Sequence, residues 1–154
     1  MERRKLHFPT LDAVVADGQH FLQHGYERLG KWSLGQNATH LSILVEMSVR
    51  GFPWYVPWPL TLPFRWYALG DILKRKQFPA GMRGPQFAMP PESIEDRLGL
   101  DRLAAAYAEF QHATRVYPSP LFGTLTHEQW REVHLWHAEH HLSFLVPRPA
   151  VPSA

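Results

Sequence analysis

The sequence predicts an all-α fold, a bundle of four principal helices with one long crossover rich in proline and aromatic residues. Three observations lead there: apolar residues recur at helical spacing in four stretches, capping boxes stand at Ser33/Gln36 and Thr126/Gln129, and no stretch shows a convincing strand alternation.

The first helix is expected over residues 10–28, with Thr10 as N-cap, Leu11, Val14, Val15, Leu22 and Tyr26 at helical spacing, and Gly30 as its end. The second, 33–50, begins at the Ser33/Gln36 box and stops before Gly51 and Pro53. From Gly51 to Pro91 prolines recur among aromatics such as Trp54, Trp58 and Trp66, which rules out a continuous helix. That stretch is expected to be an ordered crossover with one short helix near 65–76, because its aromatic content is too high for a flexible linker. A third principal helix is expected over 92–115, carrying Leu100, Leu103, Tyr107 and Phe110 on one side and bending at Gly99. The fourth, 126–145, starts at the Thr126/Gln129 box and is stopped by Pro147.

A chain of 154 residues with 45% hydrophobic and 19% charged residues suits one soluble globular domain, here 1–146, with a flexible tail at 147–154. Sixteen Lys and Arg against 14 Asp and Glu select no partner by charge. The basic runs Arg3-Arg4-Lys5 and Lys74-Arg75-Lys76 are too short to track many phosphates, so they read as solvated surface and nucleic acid is not expected. With no cysteine there is no disulfide, no thiolate ligand and no thiol nucleophile, which leaves histidine and carboxylate to carry any chemistry. The N-terminus is charged and lacks the continuous apolar run of a signal peptide, and nowhere do about 18 apolar residues run uninterrupted. A cytoplasmic protein without a membrane partner is expected.

Of ten histidines, five fall between His127 and His141. On a helix, positions i and i+4 are neighbours, so His137 and His141 can offer both imidazoles to one ion. At about 100° per residue, His134, His137 and His141 fall within roughly 60° of one another, on the same core-facing side as Trp130 and Val133. Glu132, Trp136, Glu139 and Ser143 fall opposite, so Glu139 is expected to face solvent, and His140 lies at the edge. His40 shares its helix face with Ile43, Leu44 and Met47 and should point inward. A lone inward histidine is usually a hydrogen-bonded core residue; three together point to a divalent ion, which uses several neutral imidazoles at once. Gln36, one turn from His40, is the expected donor behind the ligands, and Glu46 lies about 120° from the ligand side.

The run Trp32-Ser33-Leu34-Gly35-Gln36 followed by His40-Leu41, the run Leu121-Phe122-Gly123-Thr124-Leu125-Thr126 followed by Trp130, and His137-Ala138-Glu139-His140-His141-Leu142 together resemble the DinB-like (YfiT-like) superfamily of four-helix metalloproteins. Within it the similarity is to a bacterial subgroup known only as a domain of unknown function, and it spans residues 10 to 146. The resemblance implies a divalent ion, nickel or zinc, held by His40, His137 and His141. One departure stands out: the subgroup often has a histidine before the proline that precedes Phe-Gly, whereas this chain has Ser119 before Pro120.

Three neutral imidazoles leave the ion its full charge and open coordination positions, so metal-assisted hydrolysis and thiol transfer are both chemically available. Relatives in the superfamily include enzymes that use low-molecular-weight thiols, which implies a thiol-dependent S-transferase, or a hydrolase, with a small-molecule thiol or electrophile as substrate. The alternative is a non-catalytic protein whose ion mainly joins two helices. A DNA-repair role finds no support in charge or motif, and a homodimer is left open.

Overall fold

A computed structural model describes residues 2–53, 59, 60, 62 and 86–148. Among these the fold is mainly helical, with four helices and one small two-stranded sheet: α1 (Leu11–His24), β1 (Tyr26–Arg28), α2 (Leu34–Arg50), α3 (Asp96–His112), α4 (His127–Leu142) and β2 (Leu145–Pro147). The expected helix at 65–76, the second basic run and most of the crossover aromatics lie outside the described residues. No described helix is long and apolar enough to cross a membrane.

The helix starts follow local chemistry. Thr10 Oγ1 accepts from Ala13 N, and at both Ser33/Gln36 and Thr126/Gln129 the hydroxyl and the amide satisfy backbone N–H groups reciprocally. The ends depart from expectation. α1 stops at His24 rather than running to residue 28, because Gly25 takes φ 78°, a conformation only glycine adopts at no cost. Tyr26–Arg28 then pairs antiparallel with Leu145–Pro147, Tyr26 opposite Pro147 and Arg28 opposite Leu145. The fourth helix accordingly ends at Leu142, three residues early, and Pro147 belongs to a strand rather than to a frayed tail.

One core gathers residues from all four helices, among them Val14 and Phe21 of α1, Leu34 and Leu41 of α2, Leu103 and Phe110 of α3, and Trp130 and Leu142 of α4. Gly99 is a contact point: α3 continues through it, and a Cβ there would lie 2.3 Å from the Gly35 carbonyl oxygen. Glycine at both positions lets the backbones of α2 and α3 touch. Asp96, at the start of α3, ties the junction further, its two oxygens accepting from Gly35 N at 2.7 Å and from the Tyr26 hydroxyl at 2.7 Å, while that hydroxyl accepts from Leu34 N.

The N-terminal arm corrects the expected orientation of α4. Arg4 makes a bidentate pair with Asp17 at 2.8 and 2.6 Å and also donates to the Leu142 carbonyl. Arg3 donates to Ser143 Oγ, and Phe8 N donates to Glu139 Oε1 at 2.8 Å. Ser143 is therefore buried and Glu139 is held by the arm rather than facing solvent, and Trp136 on the same side of α4 is buried as well. Helical angle alone does not reveal a covering segment from the far end of the chain. Arg3 and Arg4 serve as clamps of the fold, not as free basic surface.

Candidate metal centre

Placement of the three ligand candidates begins with the caps. The Ser33/Gln36 box sets the register of α2, with His40 inward two turns later, and the Thr126/Gln129 box sets that of α4, with His137 and His141 about three and four turns on. His40 is buried, while His137 and His141 keep partial exposure. The rings converge edge to face, with centroids 5.1 Å apart for His40–His137, 4.6 Å for His40–His141 and 4.7 Å for His137–His141. One ring nitrogen from each lies within 4.8 Å of the other two, so the three are positioned to hold a metal ion. Metal–nitrogen bonds of about 2.0–2.1 Å put tetrahedral ligand atoms about 3.4 Å apart, so binding would draw the ring nitrogens together by up to about 1.4 Å. Among the described residues no carboxylate joins the cluster.

The protonation pattern suits a cation. His40 Nδ1 lies 2.6 Å from the Ala88 carbonyl oxygen, an acceptor only, so Nδ1 carries the hydrogen and the Nε2 lone pair is left for an ion. Burial lowers the His40 pKa, opposed in part by that hydrogen bond. Burial holds His137 and His141 well below the ordinary histidine value, and the neighbouring histidines push each further down. All three imidazoles are thus kept neutral, the form that ligates.

The remaining candidates separate. His134 shares the expected sector but lies three residues, about 4.5 Å along the axis, from His137. It is fully buried against Ser48 instead, with Nε2 3.1 Å from Ser48 Oγ. Gln36 is not behind the ligands: its amide oxygen caps Ser33 and its nitrogen donates to the Pro91 and Glu92 carbonyls. The group behind His40 is the Ala88 carbonyl, at the end of a 3-10 turn, Gln86–Ala88. A backbone oxygen 48 residues away leaves no mark in side-chain spacing. Glu46 pairs with Arg102, away from the site as expected. Ser119, where the resemblance implies histidine, is buried; its Oγ accepts from Leu121 N and Phe122 N, closing a turn that ends at Gly123.

Trp32 is the residue whose part at the site spacing did not show. Its indole lies parallel to the His141 ring, 13° between planes and 5.5 Å between centroids, and 4.9 Å from the His40 ring.

A family model for a protein family of unknown function, DUF1569, matches residues 1–148. The chain belongs to the DUF1569 family. Comparison with curated proteins and with solved structures gives no match. In this DUF1569 protein the matched region contains all three histidines, so the cluster sits inside the family's own domain.

Proposed function

We propose that the chain is a divalent-metal protein of DinB/YfiT four-helix-bundle type, with His40, His137 and His141 as its ligands and nickel or zinc as its ion. The observation that carries this reading is the convergence of three neutral ring nitrogens within 4.8 Å, drawn from two helices. Three protein ligands leave at least one coordination position for water or substrate, the arrangement of a catalytic site. The ion would polarise a bound oxygen or stabilise a thiolate, and the small-molecule reaction that follows is a thiol-dependent S-transfer or a hydrolysis.

A second reading has its own support: the ligands come from α2 and α4, so an ion there would join the two helices whatever else it did. Cobalt-substituted protein separates the two. Azide or a small thiol should change its visible spectrum if a position is open, and a thiol-transfer screen with the metal found on the purified protein should then give turnover that H141A lacks. A spectrum indifferent to every added ligand supports the structural ion and removes the enzyme.

A further inference from the structure

Trp32 stands half-buried in the link between β1 and α2, and that link is pinned at both ends. At its start Leu29 N donates to the Phe144 carbonyl at 2.8 Å. At its end the Trp32 carbonyl accepts from Asn37 Nδ2 at 3.3 Å, directly before the Ser33 cap. The backbone that carries the indole is therefore fixed, and its ring flanks two of the three imidazoles, His40 and His141. A ligand that took an open coordination position on that side would lie along the indole. A small hydrated anion would leave the apolar face wet; a donor atom carrying a flat apolar body would cover it and gain a ring–ring contact.

We propose that Trp32 is the specificity-determining wall of this site and that the group bound at the ion carries its donor atom on an aromatic or similarly flat apolar body. This rests on the metal reading above and names the class of ligand for it. The indole orients that body by stacking, while the ion binds the donor atom; the histidines alone would rank aryl and alkyl ligands by donor strength only.

The test uses the full chain loaded with cobalt, titrated with benzenethiol and with 2-mercaptoethanol, in wild type, W32A and W32F. Comparing the aryl-to-alkyl affinity ratio between proteins cancels the intrinsic difference in thiol acidity. The ratio should fall about three- to tenfold in W32A and be largely kept in W32F, which retains a ring face. Cobalt should also quench tryptophan emission in wild type by more than in W32F, since among the described residues Trp32 is the indole beside His40 and His141. A ratio unchanged in both variants, with cobalt content equal to wild type, overturns the role of Trp32 and leaves the metal site standing. Wild-type protein that binds no cobalt overturns both. Should W32A fail to fold, W32L, which keeps bulk but no ring face, takes its place: a ratio that falls about three- to tenfold supports the wall, and a ratio equal to wild type overturns it.

Discussion

His134 shows how one side chain links the packing of the core to pH. Ser48 Oγ donates to the Val45 carbonyl, so it accepts from His134 Nε2, and His134 Nδ1 is left buried with no hydrogen-bond partner among the described residues. Burial, with a smaller contribution from His127, pushes its pKa down to about 3. Unfolded, the same imidazole takes a proton near pH 6.5. The native state thus binds fewer protons between those values, and stability is complete above about pH 6.5 and lost as pH falls towards 3. A displacement of that size links on the order of 5 kcal/mol to pH. In metal-free protein the melting temperature should therefore drop on acidification from pH 7 to 4.5, and the drop should be smaller in H134Q; identical pH profiles for the two would show that His134 is not a proton-linked group. Spacing placed His134 on the inward side of α4 but could not say that it would meet Ser48 rather than join the ion ligands, because that depends on how far along α2 each turn of α4 packs.

Among the elements, the α2–α3 contact is the most sensitive to volume. A methyl at Gly99 would press on the Gly35 backbone, which cannot rotate away, whereas one at Gly18 would meet the Leu100 side chain at 2.5 Å, which can. G99A should cost about 3 kcal/mol and G18A about 1 kcal/mol or less in urea unfolding, and the reverse order would contradict the close backbone contact. Replacing Ser33 by Ala should cost about 1 kcal/mol, the usual loss of an N-cap. The helix starts at Thr10, Ser33 and Thr126 were legible in the sequence because a cap and its partner are three residues apart. The β1–β2 pair was not, since three residues are too few to show alternation and Tyr26 and Pro147 meet only when the chain has folded. Gly25 was the available signal for the early end of α1, and Gly30 masked it by standing at a plausible helix length.

For the molecule as a whole, the three-histidine cluster and the N-terminal arm act on the same helix. Arg3, Arg4 and Phe8 fasten one side of α4, and His137 and His141 face α2 on the other. The three-histidine cluster was legible because His137 and His141 are one turn apart and His40 shares an apolar face; the Ala88 carbonyl and Trp32 were not, since tertiary packing alone brings them there. The unfolded chain cannot hold His40 beside the distant pair, so an ion stabilises the fold by mass action, about 2.7 kcal/mol at a hundredfold excess over its Kd. Chelation near pH 7.5 should lower the melting temperature, and the gap should close near pH 5, where protons compete for the imidazoles. The most direct test is metal content: tag-free protein dialysed against nickel or zinc, wild type beside H137A, H141A and the exposed α1 pair variant H20A/H24A. One tightly held ion per chain in wild type and in H20A/H24A, and none in H137A or H141A, is the expected outcome; equal retention in H137A and wild type would place the ion elsewhere and leave the three-histidine site without support.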